Sequence, residues 1–164
     1  MDGVTIRPYR TGDGPRIREI TVEAFVGVSL EQRIDQLWPD VAPEGWAERK
    51  WLSVAGEIDA DCDGCLIAES DGEVVGYVTT ATTEARSQGR ILNLAVDARL
   101  RGRGVGRALI LAALGLFRRS GLRIARIETL ANNPVGRHLY TQMGFGEIAQ
   151  MVWYAMPLEP EGDS

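Results

Sequence analysis

The sequence is poor in the residues that hold small or metal-dependent folds together. Its 164 residues contain two cysteines, Cys62 and Cys65, and one histidine, His138. Two cysteines cannot make a disulfide framework. A single Cys-x-x-Cys pair without a second pair or a neighbouring histidine lacks the ligands of a zinc site, so no metal is expected. A helix start would have to follow the pair for thioredoxin-like chemistry, whereas the residues after it read as a strand. Long apolar runs are missing as well: none approaches the ~20 residues of a membrane span. The opening residues carry no basic segment followed by an apolar one, so a secretory leader is not expected. At 45% hydrophobic and 25% charged residues, the chain is neither disordered nor fibrous. A cytoplasmic globular domain over residues 1–158 is expected, with 159–164 as a flexible tail.

Charge is unevenly placed. The net charge is -5, yet residues 31–85 hold 13 acids against 3 basic residues, and residues 86–140 hold 11 arginines against 2 acids. Two solvated faces would account for this. The alternative is that one part of the fold receives an anion while the other attracts a cation. Nucleic acid is not an expected partner, because the acidic half repels phosphate and the basic half lacks interleaved aromatics.

Periodicity gives an α/β order of elements. Val4–Arg7 alternates as a short strand. Asp13 and Pro15 mark a helix start, with Asp13 expected as a side-chain cap. Further helices are expected from about Ser29 to Trp38 and from Glu44 to about Ala55. Cys65–Glu69 and Val74–Thr80 read as two strands joined by a hairpin at Asp71-Gly72. Arg90–Val96 is the next strand, and Val105–Arg119 is apolar at helical spacing. Ile124–Leu130 reads as a strand, Asn133-Pro134 as the cap of a helix ending at Gly144, and Phe145–Met156 as a last strand.

The sharpest feature is Arg101-Gly102-Arg103-Gly104-Val105-Gly106-Arg107, between a strand and the long apolar helix. Glycines let a backbone approach a ligand closely. The free amides of a helix's first turn, at the positive end of its dipole, favour an anion. A phosphate ligand follows. A dinucleotide fingerprint needs a third glycine where Arg107 stands, and a nucleotide P-loop needs Lys-Ser/Thr after the glycine, where Arg107-Ala108 stands; both fail.

These residues resemble the GNAT N-acetyltransferases. Arg101, Gly104 and Gly106 match the family's acetyl-CoA loop, Gln/Arg-x-x-Gly-x-Gly/Ala. Leu94-Ala95-Val96 matches the strand before it. Asn133, Leu139, Tyr140, Gly144 and Phe145 match the later Asn–Tyr–Gly-Phe pattern. The resemblance implies a central mixed sheet splayed between strands 4 and 5, with helices on both faces and acetyl-CoA as co-substrate. The pantetheine arm would lie along Leu94, Ala95 and Val96, bonding the backbone of Leu94 and Val96. The pyrophosphate would rest on Gly102, Arg103, Gly104, Val105, Gly106 and Arg107, with Asn133 near the arm and Tyr140 near the sulfur. Many relatives dimerise, so the resemblance also admits a homodimer.

Acetyl transfer to an amine needs a neutral amine, a stabilised oxyanion and a protonated leaving thiolate. An alkylamine with a pKa near that of lysine, about 10.4, must lose a proton first. A phenol remains protonated at neutral pH and can donate to the departing sulfur. Tyr140 is the expected acid and Glu128 the expected base, Glu128 lying where family members that acetylate protein N-termini carry a glutamate; Glu84 is the rival base. His138 stands about 200° around the helix from Tyr140 and is not expected to act with it. The acidic stretch points to a cationic amine acceptor. The competing readings are a peptide amino terminus as acceptor, or a non-catalytic acyl-CoA-binding module. Trp38, Trp46 and Trp51 would line the acceptor side or pack in the core.

Overall fold

The computed structural model describes residues 3–158; the expected tail at 159–164 lies outside them. Strand β1 (Val4–Pro8) is followed by helices α1 (Gly14–Ala24), α2 (Leu30–Leu37) and α3 (Trp46–Ala60). Strands β2 (Cys65–Ser70), β3 (Glu73–Thr83) and β4 (Gln88–Val96) come next, then α4 (Val105–Arg119), β5 (Ile124–Ile127) and α5 (Pro134–Gln142). The five strands form one mixed sheet in chain order. β1 to β4 pair antiparallel, and β5 pairs parallel to β4. The β2–β3 turn places Asp71 at φ 51° and Gly72 at φ 80°, a backbone whose twist matches the flanking strands.

Each face of the sheet is covered by helix. Ile17 and Ile20 of α1 and Val54 and Ile58 of α3 pack on Cys65, Ile67, Tyr77 and Ala95. Val105, Leu109, Ile110, Ala113 and Phe117 of α4 pack on Ala68, Val75, Val78 and Ile91 of the opposite face. Removing this apolar surface from water stabilises the fold by roughly 25 cal/mol per Å². Burial of Tyr77 raises the pKa of its phenol, whose oxygen meets the Thr21 hydroxyl at 2.6 Å.

Three expectations are corrected. Asp13 precedes α1 but makes no side-chain cap; its carboxylate instead takes both terminal nitrogens of Arg7, at 2.7 and 2.8 Å, and the Arg10 amide at 2.7 Å. A charge-assisted fork outcompetes a neutral cap here. The strand expected over Ile124–Leu130 ends at Ile127. The last strand expected over Phe145–Met156 does not form: residues 145–158 take no regular structure, and Ile148, Met151, Val152, Trp153, Tyr154 and Met156 are exposed. Alternation records fitness for a pleated surface but does not supply a ladder to join, and β5 is only four residues long. No described helix is long and apolar enough to cross a membrane.

Candidate active site

The site begins where two strands part. Ile91 and Ile127 are the last register pair of the parallel β4–β5 ladder, while β4 continues to Val96. In an antiparallel pair, the backbone groups of successive residues point alternately toward one neighbour and away from it. The Asp97 amide donates to the Val75 carbonyl at 2.9 Å, so Ala95 points toward β3. Leu94 and Val96 therefore point into the gap. A one-residue irregularity between Thr79 and Thr80 in the β3–β4 register, opposite Leu92, precedes this stretch.

The glycine loop closes one end of the gap. Gly102 and Gly104 adopt φ of 73° and 83°, a left-handed backbone that costs other residues roughly 1–2 kcal/mol. Gly104 occupies the position before α4 and no side chain caps the helix, leaving its first amides for an anion. Gly106 lets α4 approach its neighbours: a Cβ there would meet Leu139 Cδ2 at 3.3 Å and Val96 Cγ2 at 3.8 Å. Arg103 and Arg107 are exposed, and neither has a carboxylate partner among the described residues. Arg101 turns back, donating from Nε to the Val96 carbonyl at 3.2 Å. It thereby occupies one of the two backbone positions expected to meet the pantetheine arm.

The fit for acetyl-CoA rests on these features together: a cradle of free amides and two unpaired arginines for a pyrophosphate, continuous with an open strand edge for an amide-bearing arm. Among the described residues, no three of His, Cys, Asp or Glu gather into a metal-holding group. Cys62 and Cys65 are free thiols; Cys65 is buried, which pushes its thiol up to about 12.

Tyr140 lies on α5 and packs with Leu94, Val96 and Leu139 against the α4 cluster. Its ring meets Phe145 edge-on, with centroids 6.3 Å apart. Desolvation pushes the phenol up to about 12, so the acid form persists far above neutrality. Among the described residues, no group bonds its hydroxyl. Asn133 caps α5, its side-chain oxygen accepting from the Gly136 amide at 3.0 Å while its amide donates to the Thr129 hydroxyl at 2.9 Å. Both ends of that side chain are thus committed, one to the helix start and one to the segment between β5 and α5.

Glu128 follows β5 directly. Gly89 meets Phe117 of α4, and Ile91, Ala125 and Ile127 belong to the same cluster. Alternation puts Arg90, Arg126 and Glu128 on the opposite, α1–α3 face. Glu128 is exposed there, with Arg90 at 3.2 Å on one oxygen and Arg126 at 3.5 Å on the other. Glu84 sits in a short turn before β4, at the paired end of the β4–β5 ladder and away from the opening. His138 is exposed. Trp51 packs against the α1–α3 core, whereas Trp38, just past the end of α2, and Trp46, the first residue of α3, are half-buried.

A polar cluster on the same face escaped the sequence reading. Asn93 of β4 is buried; its side-chain oxygen accepts from Lys50 Nζ at 2.6 Å, and its amide donates to Glu57 and, at 3.0 Å, to the Thr79 hydroxyl. Thr79 also donates to Glu57 at 2.8 Å. The legible signal was Asn93 itself, a polar residue inside Ile91-Leu92-Asn93-Leu94-Ala95-Val96.

A mixed sheet opened between β4 and β5, with the uncapped start of α4 at the opening, is the arrangement expected of a transferase that holds an acyl-CoA. The sequence profile of the Acetyltransferase (GNAT) family matches residues 17–145, and the chain belongs to that family: it is an N-acetyltransferase with acetyl-CoA as co-substrate. No curated protein sequence matches it. Among solved structures, Ard1 from Thermoplasma volcanium is 25% identical, with 90% of this chain and 85% of that one covered and a TM-score of 0.64. The PaiA N-acetyltransferase from Thermoplasma acidophilum, in complex with coenzyme A, is 20% identical over 87% and 89% of the two chains, with a TM-score of 0.71. The aminoglycoside N-acetyltransferase AAC(6')-Iy, in complex with CoA, is 18% identical over 94% and 95%, with a TM-score of 0.65.

Proposed function

We propose that the protein moves the acetyl group of acetyl-CoA to the primary amine of a cationic small molecule, by direct attack of the amine on the thioester. The observation that carries this reading is the turning of Leu94 and Val96 toward a gap whose end is the first turn of α4. The amides of Gly102 and of Gly104 to Arg107, with the Arg103 and Arg107 side chains, hold the pyrophosphate; the Arg103 amide is taken by the Leu100 carbonyl at 3.4 Å. Leu94 bonds the pantetheine arm, and Arg101 releases Val96 so that it can do the same. Backbone N–H groups at the β4 edge stabilise negative charge on the acetyl oxygen, a fixed-dipole effect that is large where water is excluded. Tyr140 gives its proton to the departing sulfur. Glu128, on the acceptor face, takes the proton of the incoming ammonium, directly or through water, once one of its two arginines lets go.

The acceptor class rests on charge. The 13 acids between residues 31 and 85 include those of α2 and α3, on the Glu128 side of the sheet. Some are already neutralised, Asp35 by Arg49 and Glu48 by Arg18. Glu31, Glu44 and Glu57 have no basic partner within ion-pair distance among the described residues; Glu31 and Glu57 act in part on the single charge of Lys50, and the remaining negative charge draws a cation toward this face. AAC(6')-Iy, one of the fold's neighbours, bears the name of an aminoglycoside acetyltransferase. A second reading, acetylation of a peptide amino terminus, draws on Glu128 and on the likeness to Ard1.

The test is release of free thiol from acetyl-CoA with polyamines, aminoglycosides, amino acids and short peptides offered in turn. Turnover with polyamines or aminoglycosides is expected. Turnover confined to peptides would replace the first reading with the second. Tight acetyl-CoA binding with no turnover for any of these amines would overturn both readings of the acceptor.

A further inference from the structure

Lys50 is the only lysine in the chain, against 17 arginines. It therefore carries the one side-chain amine the protein owns. That amine is held against the strand that lines the acyl site. Lys50 projects from α3 onto the α1–α3 face, and Nζ donates to Asn93, the residue beside gap-facing Leu94. The ammonium also lies 4.3 Å from the centroid of the Phe25 ring. No carboxylate of the described residues comes within ion-pair distance of it. Glu31 and Glu57 act on it from beyond that distance, so the half-buried ammonium is held by a neutral amide and an aromatic ring rather than by a salt bridge.

We infer that Lys50 is an acetyl acceptor of the enzyme itself, modified by the acetyl-CoA bound on its own chain. The inference rests on acetyl-CoA lying along β4, as proposed above. Three properties suit the residue to the role. Its flexible four-carbon stem lets Nζ exchange Asn93 for another partner beside it. Burial lowers the pKa of the ammonium against the opposing pull of Glu31 and Glu57, which enlarges the fraction present as a nucleophilic amine. The Glu57 carboxylate, which shares Asn93 with it, stands ready for the proton. In the reaction the Lys50 nitrogen lone pair forms the bond to the acetyl carbonyl carbon, and the carbon–sulfur bond breaks with its pair on sulfur. The nitrogen sheds its proton to Glu57 through water, and the thiolate is protonated to free CoA. The amide that remains is uncharged.

Having one lysine makes the experiment direct. Native protein is incubated with acetyl-CoA, and acetylated positions are mapped by peptide mass spectrometry, which separates Lys50 from the chain's amino terminus. Parallel samples are heat-denatured chain, native chain with excess free CoA, and K50R. Calorimetry on the same preparation measures acetyl-CoA binding. The expected result is a single acetyl group on Lys50, stable to hydroxylamine and absent from K50R. It should form at least about tenfold faster in native than in denatured chain, as positioning predicts. The rate per chain should not change with protein concentration, and free CoA should suppress it. Equal rates in native and denatured chain would overturn the inference, as would an unmodified Lys50 in protein that binds acetyl-CoA. If calorimetry finds no binding, the co-substrate site falls too, and the inference with it.

Discussion

Arg90 on β4 and Arg126 on β5 are register partners in the parallel ladder, two guanidinium groups set side by side on the α1–α3 face. Glu128 bridges them, one carboxylate oxygen to each. Like charges side by side on neighbouring strands destabilise a sheet, so Glu128 has a structural duty beside the catalytic one proposed. Glu128→Gln separates the two. It keeps the shape, loses the charge, and should lower stability by less than about 1 kcal/mol. If Glu128 takes the amine proton, kcat should fall on the order of 10²-fold with acetyl-CoA affinity unchanged. A kcat that moves no more than the melting temperature does would leave Glu128 a counter-ion alone.

The loop is tested at Gly104. Its φ of 83° makes any side chain there strained, and a carboxylate would face the amides proposed for the pyrophosphate. Gly104→Glu should weaken acetyl-CoA by about 10²-fold or more, since juxtaposed like charges cost several kcal/mol. Calorimetry on a variant whose circular dichroism matches the parent decides it. Unchanged affinity would remove the loop from the site.

Tyr140→Phe deletes one hydroxyl and keeps the ring against Phe145. Loss of the proton donor should cost about 10²-fold in kcat, with no change in acetyl-CoA binding. Because the phenol is pushed up to about 12, its ionisation should not limit the parent enzyme anywhere in the ordinary alkaline range. The unfolded chain deprotonates this group near 10. Its burial therefore favours folding less as pH rises from about 10 toward 12, and the Phe variant should lack that part of the alkaline loss. Equal kcat for parent and variant across the pH range would exclude the acid role.

Asp97 makes the corresponding prediction in acid. Hydrogen bonds from Arg99, helped by Arg16, hold its carboxyl at about 2, below the ordinary 3.8. The carboxylate is almost fully buried and also accepts from the Arg99 amide at 2.9 Å. Its stabilisation is present above the unfolded value and is lost as pH falls from about 4 through 2. Asp97→Asn should be less stable at neutral pH by about 1–3 kcal/mol. Its urea midpoint should also change less than the parent's between pH 4 and pH 2. Parallel profiles for the two proteins would refute the assignment.

The two halves of the proposed site were not equally legible. The loop could be read because its chemistry is local: glycines, arginines and a helix start lie within seven residues, and amide geometry follows from sequence order. The cap at Asn133 was legible in the same way, from Asn133-Pro134 at the start of a helix, whereas Tyr140 was singled out only through the family resemblance. Lys50, Glu57, Thr79 and Asn93 could not be assembled, since they come from α3, β3 and β4 and meet only when the helix lies on the sheet. The bond from Arg101 to Val96 was hidden for a similar reason, a side chain folding back on a strand end. The Phe145–Met156 pattern misled because alternation describes side chains, whereas a strand also needs a partner with free backbone groups. Asp13 misled because Arg7 competes for the same carboxylate across the turn.

The contact that sets β4 against α4 gives the last test. Gly89 on β4 lies under the ring of Phe117, and a Cβ at that position would stand 2.4 to 2.6 Å from three ring atoms. Phe117 is itself buried near the end of α4, so the ring cannot swing out to make room. Gly89→Ala must push α4 from the sheet or force the ring off its rotamer, which typically costs about 1–3 kcal/mol. In a chain of this size each kcal/mol lowers the melting temperature by about 2–4 °C. Gly89 lies two residues before Ile91, where the ladder ends, so the displaced helix would also shift the loop at its own start. The variant should therefore melt earlier and bind acetyl-CoA more weakly. Phe117→Leu, which shortens the ring side chain, should recover part of both losses when combined with it. An alanine at 89 that leaves melting temperature and affinity unchanged would show that β4 and α4 are not packed this closely.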